Sequence, residues 1–168
     1  LIKTWSFTNL QNVDVNSLAN ILVEGFTNPA VSNTENIGIC IEGLAYLSLK
    51  ASVKVYLRYD DELCSKLTEL AKSEHFDSTS YGALVILANL SVSPHDSTGN
   101  TSFEPKSIRN LKSYSDLKDP NLENKEKDLE SKEEVLSFNK KYLLECNTLS
   151  TLNSEFGTLS DGSKQQVI

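Results

Sequence analysis

The sequence predicts an all-α chain wound as a right-handed superhelical solenoid, and three observations predict it. The first is an echo. Leu44-Ala45-Tyr46-Leu47-Ser48 returns 43 residues later as Leu87-Ala88-Asn89-Leu90-Ser91. The second is apolar spacing at the helical period on both sides of that echo. The third is the order of segments over 34–92: long helix, short helix, medium helix, long helix. A period in the low forties carried on that cycle is the mark of armadillo repeats. The two copies of the echo then stand as third helices of successive repeats. Stacked repeats of this kind make long surfaces for partners.

Val15, Leu18, Ala19, Leu22, Val23 and Phe26 fall at i, i+3, i+4, i+7, i+8 and i+11, one complete apolar face. Asn12 or Asp14 can cap this first helix, and Asn28-Pro29 ends it. A second helix is expected over about Thr34–Leu49, with Ile37, Cys40, Ile41, Leu44, Ala45 and Ser48 on one side. Gly38 and Gly43 interrupt it, each at about 1 kcal/mol relative to alanine. Close approach of a neighbouring helix is the expected compensation. Val53–Tyr59 predicts a short helix stopped at Asp60-Asp61, and Leu63, Leu67, Leu70 and Ala71 mark the next.

A polar loop is expected around His75 to Ser80. Tyr81 to Val92 then runs apolar nearly all round, the pattern of a helix buried between neighbours. A strand is the weaker reading of this run, because Ala83, Leu84, Leu87 and Ala88 favour helix and no hairpin signal flanks them. From Ser93 to about Lys118 the pattern fails. Pro94, Gly99, Pro105 and Pro120 punctuate a polar, charged stretch, read as an insertion with partial helix at most. Within it, Leu111, Tyr114 and Leu117 could form one docked amphipathic turn.

Asn121 to Glu145 places Leu122, Leu129, Leu136 and Leu143 seven apart. Glu126 and Glu133 occupy the positions where a coiled coil needs its second apolar seam, so a solvated helix with one docked edge is the better reading. Val135, Leu136, Phe138, Tyr142, Leu143 and Leu144 strengthen its second half. Asn147 stands where an armadillo unit usually has glycine between its first two helices, and asparagine tolerates left-handed backbone well. The organisation expected is therefore 1–92 as armadillo repeats, 93–134 as a charged insertion, and 135–168 as the start of further repeats. Leu1 and the closing Ser163–Ile168 both read as cuts through a longer array.

Composition sets the functional bounds. Of 168 residues, 39% are hydrophobic, enough for one ordinary core or roughly three to four armadillo units. A net charge of −7 with no basic stripe disfavours nucleic acid, whose binding rests on phosphate neutralisation, and anionic membrane surfaces equally. No apolar run approaches the ~20 residues of a membrane span, and no basic leader precedes a long apolar stretch. Three cysteines, Cys40, Cys64 and Cys146, lack ligand or disulfide spacing. Cys40 and Cys64 lie on apolar helix faces and read as buried thiols, so a reducing compartment, cytosol or nucleus, is the default, and a cytoplasmic location is expected.

No catalytic constellation is visible, and neither a cofactor nor a metal is implied. Glycine-rich phosphate loops, GxSxG and HExxH are all absent. Asp60-Asp61-Glu62 reads as helix-capping acids. Cys64 and His75 are unsupported as a nucleophile pair, and the second histidine, His95, has no ligand partners in sequence. The chain is expected not to be an enzyme.

The default partner-facing positions are the outward ones on the third helices: Glu42 and Tyr46 in one repeat, Val85 and Asn89 in the next. Nuclear-import armadillo receptors present tryptophan and asparagine four apart at such places. Here tryptophan is missing from both pairs, and the single tryptophan is Trp5. Packing and stack-edge hydrogen bonding is the plainer role for these residues. A catenin-like or import-receptor-like adaptor binding peptide segments remains the alternative function.

Glu42-Gly43-Leu44-Ala45-Tyr46-Leu47-Ser48-Leu49-Lys50-Ala51-Ser52-Val53-Lys54 resembles a segment of the UCS-domain myosin chaperones, with their "EGLAYL" stretch and "DVK"-type helix start. Leu67-Thr68-Glu69-Leu70-Ala71-Lys72, Tyr81 to Ser91 and Lys141-Tyr142-Leu143-Leu144-Glu145-Cys146 follow the family's order. The resemblance covers 35–95 closely and 135–168 loosely, and the Asn/Ser-rich insertion is similar to that of a budding-yeast member. Ser52, where aspartate is usual, and Asn147, where glycine is usual, depart from the pattern. The resemblance implies a central fragment of a chaperone or co-chaperone that binds myosin motor domains, works with Hsp90 and serves the actin cytoskeleton. It also implies that the motor-binding groove falls mostly beyond 168.

Overall fold

The computed structural model describes residues 14–28, 30, 34–73, 77–92 and 129–154. Every regular element among them is helical: α1 (Val15–Thr27), α2 (Thr34–Leu47), α3 (Ala51–Arg58), α4 (Asp61–Ala71), α5 (Ser78–Ser91), α6 (Lys132–Phe138), a π-helical stretch (Asn139–Glu145) and α7 (Thr148–Ser154). From α2 to α5 the lengths are 14, 8, 11 and 14 residues, the expected long, short, medium, long order.

Aspartates open three of these helices. Asp14 accepts from Asn16 N (3.1 Å), Asp60 from Leu63 N (2.9 Å), and Asp77 from Thr79 N and Ser80 N (both 2.9 Å). Each carboxylate satisfies amides that have no partner within the helix and sits at the positive end of its dipole. Asp77 also explains why α5 starts at Ser78, three residues before the expected Tyr81. The first turn, Ser78 to Ser80, has no apolar face of its own and is held by its cap.

α2 lies at the centre, packed on α1 and on α5; α5 packs also on α4, and the short α3 fills the angle between α1, α4 and α5. One continuous core results. It joins Ala19, Val23 and Phe26 of α1 to Ile41 and Leu44 of α2, to Leu63 and Leu67 of α4 and to Ile86, Leu87 and Leu90 of α5. Full burial of a leucine contributes about 1.5–3 kcal/mol, and Leu44 and Leu87, the first residue of each LAxLS copy, are both fully buried. The two serines match as well: Ser48 donates to Ala45 O and Ser91 to Ala88 O, each folding its hydroxyl back onto its own helix.

Close helix approach does occur around α2, and two of the glycines that permit it, Gly25 and Gly82, lie on its neighbours. A Cβ on Gly82 of α5 would lie 2.4 Å from Ile41 Cγ2, and one on Gly25 of α1 would lie 2.8 Å from Cys40 Sγ. A Cβ on Gly38 would meet nothing within 4 Å, so the expected compensation there is absent. Cys40 and Cys64 are buried free thiols as expected.

The second group of helices docks on the first. α6 packs on α5, and the π-helical stretch and α7 pack on α4. Val135, Phe138 and Tyr142 form the buried edge, with Phe138 and Tyr142 rings 5.2 Å apart. α6 opens at Lys132, inside the stretch assigned from sequence to the insertion. Of the leucines spaced by seven, Leu129 and Leu136 are exposed, so they form no seam within the described residues. Asn147 adopts φ 56°, the left-handed conformation expected there, and turns the chain into α7. Trp5, Asn12, His75, His95, Leu111, Tyr114, Leu117 and Leu122 lie outside the described residues.

Candidate interaction surface

Two sets of side chains stand out. The first is the α2–α5 stack, which carries the four positions singled out from sequence. Glu42 is exposed and Tyr46 half-buried on α2. On α5, Asn89 is half-buried and its amide nitrogen donates to Ser48 Oγ at 2.9 Å and, more weakly, towards Ala45 O at 3.5 Å. The asparagine is thus bonded across the stack. Val85 corrects the expectation: it is only 4% exposed. α5 is covered on nearly every side, so Val85 joins the packing and leaves the partner-facing set. Glu42 and Tyr46 remain as the accessible pair.

The second set was not found from sequence. It lies along the seam where α6 and the π-helical stretch dock on α3, α4 and α5. Arg58, buried at the end of α3, donates through Nη2 to Glu130 Oε2 (2.6 Å) and through Nε to Leu90 O (2.9 Å). Lys54 Nζ lies 3.7 Å from the other carboxylate oxygen of Glu130. The Tyr59 hydroxyl donates to Glu134. Asn139 donates to Ser91 O (3.0 Å) and Lys72 to Cys146 O (3.1 Å). At the far end Lys141 Nζ meets Asp61 Oδ1 at 2.7 Å, beside the Tyr142 hydroxyl, which donates to the same oxygen.

The acid cluster 60–62 therefore divides. Asp60 caps α4 as expected, while Asp61 reaches across the seam. Hydrogen bonds from Lys141, then from Tyr142, hold the Asp61 carboxyl below the usual aspartate range. Burial, with the hydrogen bond to Asp61, pushes the Tyr142 phenol up to about 12. The advance signal for the seam is the pair of cations, Lys54 and Arg58, on the short helix α3. Glu130 sits in a charged run where nothing distinguishes it from its neighbours.

Burial pushes the Cys64 thiol up to about 12, with Asp60 and Asp61 adding to the shift. Its Sγ also donates to Leu57 O at 3.3 Å, so it stays protonated and is no thiolate nucleophile at neutral pH. Among the described residues no group of three or more His, Cys, Asp or Glu could hold a metal ion. No described helix is long and apolar enough to cross a membrane.

What the geometry offers is a helical surface with a polar seam. No family model matches the chain. A curated relative does. SWI5-dependent HO expression protein 4 of Saccharomyces cerevisiae is 38% identical over 181 aligned residues, which take in 100% of this chain. The chain spans about a fifth of that relative, 22% of its length.

Proposed function

We propose that this chain is a stretch of an armadillo superhelix in a protein that binds myosin motor domains. There it acts as a chaperone or co-chaperone alongside Hsp90 and supports actin-based processes in the cytoplasm. The observation that carries the scaffold part is the stacking of the two LAxLS copies. They lie on packed helices, bury equivalent leucines and fold equivalent serines back on their own carbonyls. The EGLAYL context of the first copy, which falls on α2 and runs into α3, supports the chaperone part by its resemblance to the UCS-domain family.

The name of the yeast relative connects it with HO expression. A scaffold that serves another protein can influence expression without touching DNA, and the net charge of −7 argues against direct nucleic-acid contact here. The adaptor alternative finds little support in the α2–α5 stack. Val85 is buried and the Asn89 amide is already bonded within the chain, so neither is free to hold an extended peptide.

The test is a pull-down of a purified myosin motor domain with the full-length parent protein, paired with light scattering of the motor on heating. Binding together with suppressed aggregation is expected. A motor that is neither retained nor protected would overturn the reading.

A further inference from the structure

We infer that the seam between the helical body 15–92 and the unit 129–154 is an electrostatic joint, able to open while both halves keep their helices. Three observations carry this, none of them dependent on the identity of the client.

The first is the kind of contact. Within the body, α1, α2 and α5 meet mainly through an apolar core, which Phe138 and Tyr142 join, with the Cys40 and Ile41 side chains seated directly against Gly25 and Gly82 and the Asn89–Ser48 bond as a polar tie. Across the seam, Val135, Phe138 and Tyr142 are accompanied by Glu130 on Arg58 and Lys54, Glu134 on Tyr59, Lys141 on Asp61, Asn139 on Ser91 O and Lys72 on Cys146 O.

The second is incomplete pairing. Arg58 Nη1 and Asn139 Oδ1 are buried at this seam and find no hydrogen-bond partner from the protein. A buried polar atom without a partner loses its hydration for nothing in return. Opening the seam returns both atoms to water, so closure is opposed by a cost that an apolar seam would not carry.

The third is the contrast between the two ends. Arg58 and Glu130 have side chains 4% and 2% exposed, whereas Lys141 and Asp61 are 50% and 71% exposed. Salt weakens the exposed pair and barely reaches the buried one. Raised ionic strength therefore loosens the Lys141 end first. The buried pair fixes which surfaces meet when the joint closes. A partner gripping both halves would select one angle between them.

The joint can be read by distance. Glu69→Cys on α4 and Ser137→Cys on α6 are both exposed sites for spin labels, with Cys146→Ser removing the accessible native thiol. Pulsed electron–electron resonance on the full chain should give one narrow distance at about 0.05 M salt. A second, longer population should grow at about 1 M, where the screening length falls to about 3 Å. Lys141→Gln and Glu130→Gln should each show that population already at low salt. The pair Arg58→Met with Glu130→Leu should restore the narrow distance, because it removes the unpaired donor and keeps the volume. A single narrow distance at both salt levels and in Lys141→Gln overturns the joint. So does a loss of helical circular dichroism in step with the longer distance, since that would be unfolding.

Discussion

Asn89 on α5 donates its amide to the hydroxyl of Ser48, the residue that follows α2, 41 residues earlier, at 2.9 Å. This bond ties the two copies of the echo to each other. Ser48 in turn donates to Ala45 O, so the hydroxyl is used both ways. Asn89→Ala and Ser48→Ala should each destabilise by about 0.5–1.5 kcal/mol. The double variant should fall short of the sum by a coupling of about 0.5 kcal/mol or more. Urea denaturation of the four proteins gives the cycle, and strict additivity would mean that the bond contributes nothing.

Gly82 and Ile41 define the closest approach of α5 to α2. Gly82→Ala places a methyl 2.4 Å from Ile41 Cγ2, and overpacking of this kind costs about 1–3 kcal/mol. Ile41→Ala removes the obstructing atom. In that background Gly82→Ala should be tolerated, even though Ile41→Ala alone costs about 2–5 kcal/mol through its cavity. Thermal midpoints of the set should show this reversal of sign. Gly38→Ala is the control, with open space around its Cβ, and should stabilise α2 by up to about 1 kcal/mol.

Asn147 holds φ 56° between the π-helical stretch and α7. Glycine takes this conformation freely and a β-branched residue does not. Asn147→Gly should be neutral or slightly stabilising, and Asn147→Val should cost about 1–2 kcal/mol. Comparable losses from both substitutions in chemical denaturation would show that the asparagine side chain, and not the backbone, is what matters.

The Asp61–Lys141–Tyr142 cluster should give stability a dependence on pH at both extremes. The Asp61 carboxyl is held below its ordinary value, so its contribution is present above the unfolded aspartate range and is lost as pH falls through the folded value. The Tyr142 phenol is pushed up to about 12, so the folded state favours its neutral form. That contribution is intact below about 10 and fades as pH rises towards 12. Asp61→Asn should flatten the acid limb of a denaturation-midpoint profile, and Tyr142→Phe the alkaline one. Profiles parallel to wild type would disconnect the cluster from folding.

The starts of α1 and α4 were legible because capping is local, Asp14 and Asp60 bonding amides two and three residues ahead, whereas the Asp77 cap of α5 lay in a stretch read as polar loop. Asn147 was legible for the same reason, since its signal is one residue type at one backbone conformation. The core echo could be read because Leu44 and Leu87 repeat within an intact helical period. Val85 shows where two sequence arguments collide. Counting outward from the repeat makes it exposed, while the apolar surround of α5 makes it buried, and the surround prevails. The choice between Gly38 and Gly82 as the contact glycine depends on which helix lies alongside, a tertiary fact with no local trace. Arg58 and Glu130, 72 residues apart, are invisible for a similar reason. The side-chain chemistry of a salt bridge does not reveal its partner when many acids are available.

The π-helical turn Asn139–Glu145 adds a further consequence. Cys146 N bonds back five residues, to Lys141 O, where an α-helix would reach back four. The wider winding accommodates an extra residue without displacing Phe138 before it or Thr148 after it. Deleting one residue from this turn would let it relax into ordinary helix and rotate everything downstream by about 100°. Thr148, which now donates to Tyr142 O, would swing out of reach. The turn works as an index mark: the direction in which α7 leaves the body is set by the presence of one amino acid.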